Sequence, residues 1–368
     1  MSKLKKVYVN AYFRKNVGDD LFLYVLSSRY PSVNFVADVP KKYQETLTSI
    51  SNLKMRNATK KTFIARKLLA SIPWIPFVSG AMKYDAIIEI GGSIFMQAPG
   101  KPGISGLRNA FTRKSIPYFV IGSNFGPYED NRFVSGYNVL FKKTGGVVFR
   151  DSYSAKLFDA SYKISVAPDV VFGINPETLG FKLGGGTGLL IAVPVDLARK
   201  GESLADQRLA SKYEKCMARL IAGHVRSGHR AVILCFCSDE NDEEAANRIF
   251  EMLDKREKEF TSIVNYQSVD QIFSLFSNAD YLLSSRYHSM ILGWVFGVPQ
   301  LVIPYSLKTE HVRAELWKSQ YSLSPQNFIE NIDSVDLRNF NTMDSKLVNV
   351  LRKKSSGQFK YTDRALNN

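Results

Sequence analysis

Residues 281–305 read YLLSSRYHSMILGWVFGVPQLVIPY, and the order of residue types in this stretch decides the fold class. Tyr281–Ser284 has the character of a buried strand, and Ser285 is a good helix N-cap. Arg286 and His288 then fall in the first turn of an apolar helix running to about Phe296. Gly297 ends that helix, and Pro299 starts the return to a strand over Gln300–Ile303. A strand, a helix and a second strand of this length form the repeating unit of a parallel sheet. The free N–H groups and positive dipole end of the helix favour an anion, to which a guanidinium and an imidazole add directional, charge-assisted hydrogen bonds. An arginine at a helix start is also commonly a solvated or salt-bridged side chain, and a lone histidine a satisfied core or surface residue, so the local pattern leaves both readings open.

The same alternation extends outward along the chain. In the first half, strands are expected at Val7–Ala11, Val33–Ala37, Ala86–Ile90, Tyr118–Ile121, Val147–Phe149 and Ile164–Val166. After Asn175-Pro176 and the run Gly184-Gly185-Gly186-Thr187-Gly188, strands resume at Leu189–Val195, Ala231–Cys237, Ile263–Tyr266, Tyr281–Leu283 and Leu301–Ile303. Helices are expected between them near Leu204–Arg226, Asp242–Glu259 and Val269–Asn278. The fold class is α/β with two Rossmann-like domains, 1–175 and 176–333. These are followed over 334–368 by a helix near Val335–Lys353 and, from Ser355, a polar tail expected to be flexible. The glycine run lacks the Lys-Ser/Thr ending of a phosphate-binding loop and is read as a hinge.

Open α/β sheets bind ligands beyond the carboxyl ends of their strands. In the first half those positions carry Asn16-Val17-Gly18-Asp19-Asp20, Gly91-Gly92-Ser93, Gly122-Ser123-Asn124, Arg150-Asp151-Ser152 and Ala167-Pro168-Asp169. Each alone is compatible with turn chemistry or a helix cap; five at equivalent ends of one sheet point to a site.

The chain has 368 residues, 45% hydrophobic and 23% charged, enough for two cores and unlike a disordered polymer. Lys3, Lys5 and Lys6 lead straight into a strand, and no apolar run reaches the length of a membrane span, so a cytoplasmic location is expected. Cys216, Cys235 and Cys237 match neither a zinc site nor a disulfide framework and are read as reduced core thiols. No acidic or histidine cluster has metal-ligand spacing. The net charge of +15 is uneven: residues 1–83 hold 15 Lys or Arg against 4 Asp or Glu, so +11 of the excess lies there. No nucleic-acid motif accompanies it. Lys60–Leu69 has the pattern of a short basic amphipathic helix, and Ile72–Val78 follows with Trp74 and Phe77. That mixture suits peripheral contact with an anionic membrane, and equally a helix and loop packed on the domain core.

Arg-X-His before an apolar helix, Gly-X-Pro, a strand, and then Tyr305 and Lys308 resemble the C-terminal signature of the polysaccharide pyruvyl transferase family. The Asn-X-Gly-Asp of 16–19, the Gly-Gly-Ser turn, the Gly-X-X-X-Gly-Pro of 122–127, Arg150 with Ser152, and Asp169 extend the resemblance over roughly residues 5–310. Glu89, before Gly91, departs from it, since an uncharged residue is commoner there.

The resemblance implies a GT-B-like fold with its two domains facing a cleft. The sugar acceptor would lie mainly on the first domain, and phosphoenolpyruvate, as co-substrate with no further cofactor and no metal, mainly on the second. Arg286 would bind phosphate or carboxylate bidentately, and His288 would act as general acid or phosphate donor. Ser285, Lys308 and Arg199 would complete the donor set. Asn16, Asp19, Gly92, Ser93, Asn124 and Asp169 would face the acceptor. Asp19 either takes a hydroxyl proton, orients the sugar, or caps a helix beginning near Asp20; Asp169 either contacts sugar or braces the domain linker. His311 is a reserve acid or base. The expected product is a pyruvate ketal on a sugar of a cell-surface polysaccharide, with a lipid-linked oligosaccharide as acceptor. The alternatives are a GT-B glycosyltransferase with a nucleotide sugar on Arg286 and His288, or a catalytically inactive scaffold for glycan assembly.

Overall fold

The computed structural model describes residues 5–59, 84–101, 103–112, 116–159, 162–200 and 203–367. The basic run Lys60–Leu69 and the segment Ile72–Val78 lie outside the described residues. The chain divides into two units: one takes in 1–13, 19–173 and 351–368, the other 14–18 and 174–350.

The first unit is built on seven strands: β1 (Lys6–Asn10), β2 (Asn34–Val39), β3 (Leu53–Asn57), β4 (Ala86–Ile90), β5 (Tyr118–Ser123), β6 (Gly146–Phe149) and β7 (Ile164–Val166). They are parallel throughout, in the order β3-β2-β1-β4-β5-β6-β7. The central strands are apolar in continuous runs because helices cover both faces, as a parallel sheet requires. One face packs on an aromatic cluster in which Phe95, Phe125, Tyr137, Phe141, Phe149 and Phe158 meet edge-on or stacked. Strand β3, LKMRN, has no counterpart among the strands expected from sequence. As an edge strand it keeps Lys54 exposed and ties Arg56 to Asp38 of β2, so it carries no apolar run to read.

The end of the chain is not a flexible tail. Helices Ser345–Ser355 and Lys360–Leu366 flank a short turn, and Phe359 and Leu366 are buried. Gln358, 1% exposed, donates to the carbonyls of Ala167 (2.7 Å) and Pro168 (3.1 Å) and accepts from the Gly122 amide (2.9 Å). Tyr30 hydrogen-bonds Thr362 and Asp363, both at 2.8 Å. The segment looked polar because it stabilises the first sheet through buried hydrogen bonds as well as apolar contact.

The second unit holds β8 (Leu189–Val193), β9 (Arg230–Cys235), β10 (Thr261–Asn265), β11 (Ala279–Ser284) and β12 (Gln300–Val302), parallel in the order β10-β9-β8-β11-β12. The long helix Leu204–Arg226 begins at an N-cap, Ser203, and contributes Tyr213, Met217 and Ile221 to the core. The single helix expected over Asp242–Glu259 is two, Asp242–Glu251 and Lys255–Glu259. Asp254 and Glu257 form a capping box that restarts the helix.

The glycine run is a wrapped turn, not a hinge. The amides of Gly186, Thr187, Gly188 and Leu189 donate to the carboxylate of Asp280 at 2.5–3.2 Å. A Cβ on Gly185 would lie 2.3 Å from Asp280 Oδ1, and its φ of +38° already disfavours other residues. Successive amides curled round an anion form a nest, here filled by the protein's own side chain.

Gln358→Ala should strand buried amide and carbonyl groups at the ends of β5, β6 and β7 and destabilise the fold by on the order of 2–3 kcal/mol. Urea unfolding measures this; an unchanged midpoint would mean that the C-terminal segment is dispensable.

Candidate active site

In the second unit Asp242 is the first residue of its helix and 0% exposed. Asn241 before it takes up a left-handed conformation (φ 58°), which turns the chain from the short turn Ser238–Glu240 into the helix. Asp242 Oδ2 accepts from the amides of Phe236 (3.1 Å) and Cys237 (2.8 Å) and from Arg286 Nε (3.2 Å), while Oδ1 accepts from Arg286 Nη2. Arg286 is thus gripped bidentately along one edge. Its Nη1 pairs with Glu240 Oε2 and donates to the Tyr305 hydroxyl at 3.3 Å. The other oxygen of Glu240 lies 3.4 Å from Arg199 Nη2, and Lys308 adds its charge from the first turn of the helix Leu307–Leu316.

Burial opposes the charge on Arg286, but Asp242, Tyr305 and Glu240 outweigh it and hold the guanidinium protonated. Burial pushes the Asp242 carboxyl up to about 6, against the pull of Arg286 and the Cys237 amide. For Glu240, burial acts in the same direction, yet Arg286, Arg199 and Lys308 prevail and keep its carboxyl below the usual range.

Arg199 follows β8, Glu240 and Asp242 follow β9, Arg286 and His288 follow β11, and Tyr305 and Lys308 follow β12. All therefore lie at the carboxyl edge of the sheet, around the point between β8 and β11 where strand order reverses.

Arg286, rather than Ser285, is the N-cap of the helix Tyr287–Val295, and its own side chain makes no capping bond. Ser285 is 1% exposed, and its hydroxyl is 2.7 Å from that of Tyr213. It braces the sheet against the long helix. His288 falls one residue into the helix and is partly exposed.

Residues 14–18 belong to this unit. The Val17 amide donates to Phe236 O (3.1 Å), the Ser238 amide to Lys15 O (3.3 Å), and Asn16 bridges Cys237 in antiparallel fashion. Asn16 Oδ1 accepts from the Gly18 amide at 2.9 Å, capping the first turn of the helix Val17–Arg29. The helix therefore starts earlier than Asp20, and Asn16, not Asp19, is its cap. Gly18 has a separate reason to be glycine: a Cβ there would lie 1.9 Å from His288 Nδ1. The imidazole packs against the bare backbone of this loop.

In the first unit, Gly92, Ser93, Asn124 and Asp169 gather around Arg150, whose side chain is 2% exposed. Arg150 Nη1 is 3.0 Å from Asp169 Oδ2 and Nη2 is 2.6 Å from Asn124 Oδ1, which also accepts from Ser93 Oγ at 3.2 Å. A Cβ on Gly92 would come within 2.7 Å of Arg150 Nη1. Asp169 also accepts from the Val171 amide at 3.0 Å, so its carboxylate is a buried brace at the end of the first sheet. Glu89 is likewise structural: 1% exposed, it meets Arg108 at 2.7 Å, Asn10 Nδ2 at 3.0 Å and the Tyr118 hydroxyl.

Residues 16–306 match the sequence profile of the family described as Polysaccharide pyruvyl transferase. The chain belongs to the polysaccharide pyruvyl transferase family. It is 23% identical over 273 residues to the amylovoran biosynthesis protein AmsJ of Erwinia amylovora, in an alignment covering 69% of this chain and 65% of that protein. The chain thus spans less than two thirds of that relative's length. Among solved structures, Anabaena Alr3699/HepE in complex with UDP and glucose matches with a TM-score of 0.60 at 8% identity over 100% of both chains. The UDP-GlcNAc 2-epimerase of Neisseria meningitidis, bound to UDP-GlcNAc, matches with 0.59 at 12% identity, covering 99% of this chain and 100% of that one. At such identity these likenesses establish the fold, which is that of the GT-B glycosyltransferases and related epimerases.

For this pyruvyl transferase family member, the structure brings Arg199 and Arg286 together on Glu240, with the charge of Lys308 acting on the same carboxylate, and brings Gly18 to His288. His311 is exposed on the helix Leu307–Leu316, and Asp19 is half-buried in the first turn of its helix. Asp242, Glu240 and Arg150 were not among the site residues expected from sequence. For Arg150 a signal existed in its place after β6; Glu240 and Asp242 read only as an acidic helix start. The three cysteines are buried as thiols, burial pushing Cys235 up to about 12. Among the described residues no group of three or more His, Cys, Asp or Glu is placed to hold a metal ion, and no helix is long and apolar enough to cross a membrane.

In an unobstructed helical turn, Gly→Ala stabilises by roughly 1 kcal/mol. Gly18→Ala should instead displace the His288 ring. The shift is visible in the imidazole NMR resonances of a chain with four histidines, and a stabilised variant with unmoved resonances would contradict the contact.

Proposed function

We propose that this chain transfers the enolpyruvyl group of phosphoenolpyruvate to two hydroxyls of one sugar, forming a pyruvate ketal on a polysaccharide repeat unit. The observation that carries this reading is the convergence of Arg199 and Arg286 on a single carboxylate at the carboxyl edge of the second sheet, on which Lys308 also acts through its charge, one strand end from His288. Three cations around one point make an anion position, and phosphoenolpyruvate carries both a phosphate and a carboxylate. Family membership supplies the reaction class.

The chemistry asks little of the protein beyond charge and proton placement. Protonation of the methylene carbon makes C2 cationic, and one sugar hydroxyl adds to it. The C2–O bond to phosphate then breaks, and the second hydroxyl closes the ketal. Of the two protons lost by the diol, one ends on the new methyl group and one on the released phosphate. In this reading Arg286, Arg199 and Lys308 stabilise the phosphate as charge gathers on it. His288 sits at a helix N-terminus, on the same strand end as Arg286, and is the group best suited to move a proton near neutral pH. Asp19, one residue along the chain from the glycine that backs His288, is the candidate to receive a hydroxyl proton. Asn124 and Ser93, both partly exposed, are candidate sugar contacts held in place by Arg150.

A lipid-linked oligosaccharide is the acceptor we favour, with the basic residues of 60–67 drawing the protein to anionic lipid. Vesicles containing anionic lipid should bind the protein at low salt and release it at high salt; failure to bind at low salt removes this part of the reading.

Calorimetric titration tests the donor. Phosphoenolpyruvate should bind the wild type, and Arg286→Ala combined with His288→Ala should abolish the binding. A nucleotide sugar binding in its place would move the assignment to glycosyl transfer.

A further inference from the structure

Two carboxylates face Arg286, and they differ in kind. Asp242 is completely buried and holds the amides of Phe236 and Cys237 as well as one edge of the guanidinium. Its withdrawal would strand two buried amides, so it is a fixed part of the scaffold. The Glu240 side chain is 29% exposed, sits in the short turn Ser238–Glu240, and is held by the charges of Arg286 Nη1 and Arg199 Nη2. It has a flexible side chain and a direct way out to water. Yet its carboxylate lies at the point where Arg286, Arg199 and Lys308 direct their charge, the position an anionic ligand would take.

The geometry points to Glu240 as a resident, displaceable occupant of this anion site. A ligand bearing a phosphate binds by exchanging with its carboxylate, which moves outward as the phosphate meets Arg286, Arg199 and Lys308. The need for such an occupant is physical. Asp242 offsets only one of the three positive charges, so the excess beside a buried guanidinium is costly when unpaired, and a second internal carboxylate offsets part of it while the site is empty. Exchange also sets selectivity. Replacing one carboxylate by another gains little, whereas a phosphate, with up to two charges and three terminal oxygens, gains over the occupant it displaces. The site should therefore favour phosphate-bearing ligands over simple carboxylates such as pyruvate. The inference rests on the donor reading for the identity of the natural ligand, and on geometry alone for the existence of the exchange.

Glu240→Gln removes the competing charge while keeping the shape. Inorganic phosphate and phosphoenolpyruvate are titrated separately, by calorimetry, into the wild type, Glu240→Gln and Asp242→Asn, with thermal unfolding as a check that each is folded. Glu240→Gln should bind both ligands about tenfold more tightly than the wild type, the loss of one opposing charge in a partly buried site. Asp242→Asn should bind both more weakly, because it loosens Arg286. Equal affinity in wild type and Glu240→Gln, or weaker binding in Glu240→Gln, overturns the exchange and makes Glu240 a support for Arg286. Tighter phosphate binding with no phosphoenolpyruvate binding in either protein upholds the exchange and removes the donor reading instead.

Discussion

The second unit depends on one buried ion pair. Asp242 and Arg286 come from the ends of β9 and β11, strands separated in the sheet by β8, and the fully buried Asp242 would be an uncompensated charge without Arg286. Breaking such a pair from one side costs about 3–5 kcal/mol, so the loops that carry it are held to a single arrangement. The same carboxylate fixes the amides of Phe236 and Cys237, and Phe236 and the neighbouring Ser238 receive the segment 14–18 through backbone hydrogen bonds. Gly18 in that segment backs His288. One aspartate thus sets the place of the guanidinium directly, and that of the imidazole through the loop it holds.

Parallel sheets explain why this is economical. Every strand of the second unit delivers its chain to the same edge, so residues far apart in sequence meet without long excursions. The opposite edge shows what happens where no ligand is wanted. There the curled amides of Gly186–Leu189, a ready anion nest, are closed by Asp280 from the start of β11. At the carboxyl edge, by contrast, the carboxylate facing the cations is partly exposed.

Much of the fold was legible in the sequence because parallel strands are short apolar runs, and eleven such runs stand out in this chain. Strand β3 was hidden since an edge strand with Lys54 and Arg56 needs no apolar face. The C-terminal segment was misread for a related reason: Gln358, Thr362 and Asp363 stabilise by hydrogen bonding, which composition registers as polarity. Within the site, Arg286 and His288 were legible from their place at a helix start. The role of Ser285 was not, since a serine before a helix reads as a cap whether its hydroxyl faces the helix or, as here, Tyr213. Asp242 and Glu240 stayed hidden because an acidic first turn is ordinary helix chemistry, and only the fold reveals that Arg286 stands opposite. Asp169, expected either at a sugar or as a brace, is tied to Arg150 by a pairing across two strand ends that no local pattern records.

If the anion gathered by these cations is the proposed phospho-enol, its carbon skeleton ends on the sugar. The most direct measurement is to supply phosphoenolpyruvate carrying carbon-13 at C2, together with the lipid-linked oligosaccharide fraction of cells that make the polysaccharide, and to examine the saccharide by NMR. A labelled ketal carbon bonded to two sugar oxygens is expected, with one inorganic phosphate released for each ketal formed. A saccharide lengthened by a sugar from an added nucleotide sugar, with no labelled carbon, would contradict it.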